Sequence, residues 1–328
     1  MKRPRIFVTQ PAAESALKRL RAVASVKVNP DSSRIIAKRA LIAAARACDI
    51  LFTRLHDKVD RDVIAANPKL RAICSMSITP DNTDVAEATK RGIPVTVVPP
   101  IVAEATADIN FGLMLAVARH MVVGDRYVRA GKFPGSQSDH FAGRFVYGKV
   151  LGLVGGGGRI GIAVARRARG FDMRVLYWTP RRKPEALERE FGLEYVPLDR
   201  LLKESDFVSI HSPLKPETRH QFGARELRLM KPSAYLINTA RGPIVDEAAL
   251  TKALVKKQIA GAGLDVFEFE PKVSAQLRKL PNVVLTPHLG SAVAEGREAM
   301  ANIVADNILA VIEGRRPPNI VNPEVLGK

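Results

Sequence analysis

The stretch 150–161, VLGLVGGGGRIG, constrains this chain most. The apolar run Val150-Leu151-Gly152-Leu153-Val154 is short enough for a buried parallel strand. Four glycines, Gly155 to Gly158, follow it, and a helical pattern opens at Arg159. Gly156, Gly158 and Gly161 satisfy G-x-G-x-x-G. In that spacing the first glycine permits a tight turn, the second lets the backbone reach a pyrophosphate, and the third lets helix and strand pack closely. The pyrophosphate then sits on the free N–H groups of the helix start. Glycine-rich turns produce the spacing by chance. Between a strand and a helix it specifies a dinucleotide site.

A chain of 328 residues has room for two domains, and 46% hydrophobic with 26% charged residues is ordinary for a globular protein. The formal net charge of +18 is not ordinary. It fits either a nucleic-acid surface or a field that draws in anionic substrate and a phosphate-rich cofactor. The basic residues are spread along the chain, with no nucleic-acid motif or aromatic platform, so the second reading is preferred. The two cysteines, Cys48 and Cys74, have neither C-x-x-C nor metal spacing and read as buried thiols in a reducing compartment, with no metal site. Ile6-Phe7-Val8 is too short for a secretory core, and the longest apolar stretch, 109–118, is too short to span a bilayer. A cytoplasmic location without membrane attachment is expected.

Residues 5–97 alternate strand and helix patterns. Strands are expected at 5–9, 26–28, 50–53, 70–76 and 93–98, and helices at 11–23, 33–47, 60–66 and 83–90, the last capped by Gly92. Pro99-Pro100 marks a hinge. A long helix at 101–121 and a helical stretch to Arg129 follow, then a polar loop at 131–143. A second alternating series places strands at 150–154, 173–178, 207–210, 234–238, 261–265 and 283–285, and a last helix at 292–312 ends at Gly314. Strands separated by helices imply parallel sheets covered on both faces.

Three polar clusters fall at the C-terminal ends of these strands, where open parallel sheets bind ligands. They are Asn238-Thr239-Ala240-Arg241-Gly242, Asp265-Val266-Phe267-Glu268-Phe269-Glu270 and Thr286-Pro287-His288-Leu289-Gly290. Arg241 can grip a carboxylate with two parallel hydrogen bonds. Glu270 can fix one tautomer of His288 and stabilise its protonated form. His288 can exchange a proton with a substrate oxygen. Singly, each has an ordinary reading as a surface charge or loop residue. Three clusters downstream of a dinucleotide loop do not.

With these residues in view the chain resembles the D-isomer-specific 2-hydroxyacid dehydrogenases, nearest the glyoxylate and hydroxypyruvate reductases. The likeness spans nearly the whole chain. It includes Asp57-Lys58-Val59-Asp60, Asp81-Asn82-Thr83-Asp84, Ala88-Thr89-Lys90-Arg91-Gly92-Ile93-Pro94-Val95, Glu104-Ala105-Thr106-Ala107-Asp108, the glycine loop, His211-Ser212-Pro213-Leu214 and the three clusters. The resemblance implies an α/β fold of two doubly wound parallel-sheet domains, with a Rossmann cofactor domain (101–289) inserted into a flavodoxin-like substrate domain (1–100 plus 290–328). It implies a cleft site, a homodimer joined through the helix at 101–121, and Arg241, Glu270 and His288 as catalytic residues. Asp265 and Thr106 would lie near the nicotinamide, Arg159 and Ile160 would contact the pyrophosphate, Pro213 and Thr218 would take the adenosine side, and Thr239 and Gly290 would also bind the cofactor. Backbone N–H groups of Ser77, Ile78 and Thr79 would hold the substrate carboxylate beside Arg241 and His288.

Two departures stand out. The glycine run is one residue longer than the family's, which implies a bulge or a shifted register. Thr79 and Pro80 stand where the family often has Gly and an aromatic, and a β-carbon and a missing N–H reshape that loop. The implied reaction is hydride transfer from NAD(P)H to a small 2-oxo acid. No acid follows the second cofactor-domain strand, where one would bind the ribose 2′-OH of NAD. Thr179, Arg181 and Arg182 stand there, so NADP is expected to be preferred and NAD possible. Formate dehydrogenase carries Gln in place of Glu270. Phosphite dehydrogenase carries a lysine at the position of Ser77, and phosphoglycerate dehydrogenase often has an added regulatory domain. A corepressor-like binding protein of the same fold is the alternative from another class.

Overall fold

The computed structural model describes residues 3–136 and 139–327, so Gln137 and Ser138 of the expected loop at 131–143 lie outside the described residues. The chain divides into two compact units, Met1–Ile101 with Val293–Lys328, and Val102–Ala292.

The first unit holds strands β1 (Arg5–Val8), β2 (Ser25–Val28), β3 (Ile50–Thr53), β4 (Ala72–Ser75) and β5 (Val95–Thr96), all parallel, in the order β2-β1-β3-β4-β5. Helices α1 (Glu14–Val23), α2 (Lys38–Ala47), α3 (Arg61–Ala65) and α4 (Val85–Lys90) follow the first four strands, and the chain's last helix, α12 (Ala294–Ile312), packs on α1 and β4. Ile50, Leu51 and Phe52 are fully buried, as a central parallel strand covered on both faces requires. Cys48 and Cys74 are free and buried, and burial pushes both thiols up to about 12.

The second unit holds β6 (Val150–Val154), β7 (Arg174–Trp178), β8 (Leu193–Tyr195), β9 (Phe207–Ile210), β10 (Tyr235–Asn238), β11 (Gly261–Leu264) and β12 (Val283–Leu285). Their order is β12-β11-β10-β9-β6-β7-β8, all parallel. The direction of winding reverses between β6 and β9, which is where such a sheet opens a ligand crevice. Helices α5 (Ala103–Ala118), α6 (Met121–Arg129), α7 (Arg159–Arg169), α8 (Glu185–Phe191), α9 (Leu198–Glu204), α10 (Ala224–Leu229) and α11 (Glu247–Val255) complete the unit. One sheet face packs on α5 and α7 through Phe111, Met114, Val164 and Leu151; the other packs on α9, α10 and α11 through Leu201, Leu227 and Leu250. Among the described residues no helix is long and apolar enough to cross a membrane.

Several elements are shorter than their sequence patterns. The helix expected at 33–47 starts at Lys38, because Ser33 spends its N–H and hydroxyl on Asp31 Oδ1 (2.8 and 2.7 Å), a local turn that competes with helix. The strand expected at 93–98 keeps only Val95–Thr96, since the Val97 and Val98 N–H groups bond Asn319 O and Ser77 O. The long helix breaks at Arg119 and His120, the latter left-handed at φ 55°, and resumes as α6. Strand β8 is absent from the sequence expectations: three residues with a glutamate in the middle carry no apolar run.

Candidate active site

The three strand-end clusters meet in the second unit. After β10, the Ala240 N–H bonds Asn238 Oδ1 (3.0 Å) and Asn238 Nδ2 donates to Arg241 O (3.1 Å), a turn that fixes the Arg241 backbone. After β11, Glu270 Oε1 accepts from the Phe267 N–H (2.9 Å), leaving Oε2 for His288 Nδ1 at 3.0 Å. His288 and Glu270 are 19% and 18% exposed, sheltered enough for the pair to matter and open enough for a substrate to arrive. The contact to Glu270 is made through the Nδ1 side of the ring. Glu270-Pro271 is a cis peptide.

Asp265 holds the loop that carries the histidine. Its Oδ1 accepts from Thr286 Oγ1 and the Leu289 N–H, both at 2.6 Å, and its Oδ2 from the Gly290 N–H at 2.8 Å. Thr106 Oγ1 lies 2.9 Å from Val102 O and 3.0 Å from Gly290 O, which ties the start of α5 to the same loop. His288 itself adopts φ 56°, the left-handed region, and its N–H bonds Asp265 O at 2.9 Å. Asn110 Nδ2 reaches Ser209 Oγ (2.8 Å) and Thr239 Oγ1 (3.1 Å), so Thr239 is anchored from α5.

The glycine loop fits a dinucleotide. Helix α7 begins after Gly158, and its first intrahelical bond runs from the Ile162 N–H to Gly158 O, leaving the Arg159, Ile160 and Gly161 N–H groups facing out. A β-carbon at Gly161 would lie 2.4 Å from Gly156 O, so the helix approaches the loop as closely as a glycine pair allows. Gly155, which opens the loop, takes φ 82°, and a β-carbon there would lie 2.7 Å from the chain after β9.

The adenosine side is less open than its charges suggest. Thr179 Oγ1 donates to Arg181 O (2.7 Å). Arg182 makes a two-pronged pair with the buried Glu188 (2.9 and 2.7 Å), which also accepts from Tyr177 Oη (2.6 Å). These bonds hold the Glu188 carboxyl down at about 2 and raise Arg182, while burial pushes Tyr177 up to about 12. Arg181 is exposed and meets no acceptor among the described residues. Thr218 Oγ1 bonds Pro213 O (2.7 Å), closing a small turn after β9.

In the first unit, Ser77 Oγ donates to Thr79 O (2.6 Å) and lies 2.8 Å from Ser75 Oγ; Thr79 Oγ1 donates to Asp81 (2.8 Å). The Ser77 and Ile78 N–H groups meet no acceptor among the described residues.

A family model described as D-isomer specific 2-hydroxyacid dehydrogenase, NAD binding domain, matches residues 111–290. A glyoxylate reductase of Thermococcus litoralis is 48% identical over 328 residues, covering 99% of this chain and 98% of its own. The chain belongs to the D-isomer-specific 2-hydroxyacid dehydrogenases. A solved glyoxylate reductase from Paecilomyes thermophila superposes with TM-score 0.83 at 31% identity, covering 99% of this chain and 100% of its own. An NADPH-dependent glyoxylate/hydroxypyruvate reductase from Sinorhizobium meliloti, solved with NADP and malonate, gives TM-score 0.78 at 32% identity, covering 98% of each chain.

Two residues of this dehydrogenase escaped the sequence reading. Lys183 lays its stem over the glycine loop: a β-carbon at Gly157 would lie 2.5 Å from Lys183 Cγ and Cε. The Arg-Arg-Lys run was its only signal. Glu188, which decides how Arg182 points, sits in a helix whose acids all look like surface charges.

Proposed function

We propose that this dehydrogenase reduces glyoxylate, hydroxypyruvate and similar small 2-oxo acids to the D-2-hydroxy acids, preferring NADPH. The observation that carries the reading is the His288–Glu270 pair set beside Arg241 at neighbouring strand ends, downstream of a loop that fits a dinucleotide. NAD(P)H, held by Gly156, Gly158, the N–H groups of Arg159, Ile160 and Gly161, and the shelf of Thr106, Thr239, Asp265 and Gly290, supplies the hydride when bound. Pro213 and Thr218 border the adenosine.

Arg241 binds the substrate carboxylate and polarises its carbonyl through charge-assisted bonds, aided by the N–H groups of Ser77, Ile78 and Thr79. His288, held by Glu270 through Nδ1, gives the Nε2 proton to the carbonyl oxygen as the alkoxide develops. Glu270 orients the ring and favours its charged form. Residues 1–100 with 290–328 serve the substrate, and 101–289 the cofactor.

Preference for NADPH follows from the missing acid after β7 and from Arg181, free to meet a 2′-phosphate; Thr179 and Arg182 shape that loop. A homodimer is proposed as well. The helix at 101–121 is the expected arm of that dimer, and Met121 and Val128 of α6, each 57% exposed, offer further apolar surface beside it. The free, buried cysteines suit a cytoplasmic home. The test is a panel of 2-oxo acids with NADPH and NADH. Glyoxylate and hydroxypyruvate should give the highest kcat/KM, with NADPH. Failure of every 2-oxo acid to oxidise either cofactor would overturn the reading and favour a binding protein.

A further inference from the structure

A cavity of about 460 Å³ opens in the first unit, bounded by Pro11, Ala13, Arg54, Met76, Arg297 and Glu298. Two guanidiniums share it, and among the described residues neither meets a carboxylate. Arg54 leans on Met76 Sδ and donates to Pro11 O, and its Nε is buried with no acceptor. Nearby acids are committed elsewhere. Asp57 accepts from Thr9 Oγ1 and from the Arg54 N–H, not from its guanidinium, and Glu298 Oε1 accepts from Ser15 Oγ (2.8 Å). Burial, followed by the facing Arg297, holds Arg54 below the ordinary guanidinium value, and burial does the same to Arg297.

A half-buried cation that meets no carboxylate loses part of its hydration without return. Here two like charges crowd one cavity. The cavity also lies at the starts of α1 and α12, whose N-cap residues, Ala13 and Val293, offer no side-chain cap. Their free N–H groups add positive potential where the arginines converge.

We propose that the Arg54–Arg297 cavity binds a small oxyanion, a phosphate or a carboxylate. Such a group would satisfy Arg54 Nε, relieve the repulsion between the guanidiniums and accept from both helix starts. Two sources share this chemistry: a free inorganic anion, or a second anionic end of an organic acid. Anion binding uses residues of the first unit alone and is tested apart from the reductase reading; only the choice between the two sources rests on that reading.

The experiment measures binding of inorganic phosphate and of malonate to the full-length protein by calorimetry, in wild type, Arg54→Met and Arg297→Met. Each variant should bind at least tenfold more weakly than wild type. With no anion present each should melt at or above the wild-type temperature, because one of two repelling charges is gone; a merely structural arginine would lower it. In wild type alone, phosphate should raise Tm beyond chloride at equal ionic strength, which keeps the test open if a variant fails to fold. Turnover separates the sources. If KM for oxaloacetate rises in Arg54→Met while KM for glyoxylate does not, the anion is the far end of an acid. If neither changes while phosphate binding is lost, it is a free anion. Unaltered phosphate and malonate binding in both variants, or equal Tm with phosphate and chloride, would overturn the proposal.

Discussion

The loops after β10, β11 and β12 and the loop after β7 are both polar and charged, yet they present their charges differently. In the first group internal bonds end on backbone groups, on Asp265 and on Glu270, and they fix the His288 ring and the Arg241 backbone in place. In the second, Glu188 consumes Arg182 and the Arg181 carbonyl consumes the Thr179 hydroxyl, while the Arg181 side chain meets no acceptor among the described residues. A charge counts toward ligand binding only when the fold has not already neutralised it. Glu268 and Glu270 repeat the lesson two residues apart. Glu268 Oε2 accepts from the Glu247 N–H (3.1 Å) and its Oε1 lies 2.6 Å from His220, which holds a loop together; Glu270 holds His288, the proposed proton donor.

The largest expected effect breaks the first group. His288→Ala should lower kcat for glyoxylate reduction by about 10²–10⁴-fold with an unchanged melting curve, and Arg241→Ala should lower kcat/KM comparably. A folded His288→Ala enzyme with near-wild-type turnover would remove the histidine from the mechanism.

Next comes the link inside that group. Glu270→Gln removes the carboxylate that favours the charged imidazole, so reduction should fall off at a lower pH than in wild type. Identical pH–rate profiles, measured where chemistry limits the rate, would show that the Glu270 contact only props the loop.

The second group is sharpened by separating its arginines. Arg181→Ala should cut the NADPH-over-NADH ratio of kcat/KM by about tenfold or more, the worth of one charge-assisted bond. Arg182→Ala should change that ratio less and lower Tm, because it strips the partner from buried Glu188. Equal ratios in Arg181→Ala and wild type would mean that the 2′-phosphate is read elsewhere, with Lys183 the next residue to test.

The smallest effect is acid stability. The Glu188 carboxyl is depressed to about 2 in the folded chain from an ordinary 4.5. Its contribution is complete above the ordinary value and is lost as pH falls through the depressed one. Between about pH 4.5 and 2, Glu188→Gln should therefore lose Tm less steeply than wild type. Parallel curves would mean that Glu188 is not coupled to folding.

Much of this was legible in the sequence. Strands such as Ile50–Thr53 and Phe207–Ile210 declare themselves because a buried parallel strand must be apolar throughout. Arg241, Glu270 and His288 could be singled out because they follow the strands that end at the crevice, and the structure brings Glu270 and His288 together. What was not legible depends on how the chain packs: the Arg182–Glu188 pair, the edge strand β8, and the close approach that singles out Gly155. A run of four glycines looks uniform until the chain after β9 comes within 2.7 Å of one of them. The cavity of Arg54 and Arg297 is the extreme case, since 243 positions separate its arginines (297 less 54).

The left-handed backbone of His288 has an evolutionary consequence. Glycine or asparagine occupies that conformation with less strain than most residues, so the position favours for folding a residue that cannot perform the proton transfer. A lineage selected only for heat resistance would drift away from the histidine, and its dead descendants would outlast their active ancestor in a melting experiment.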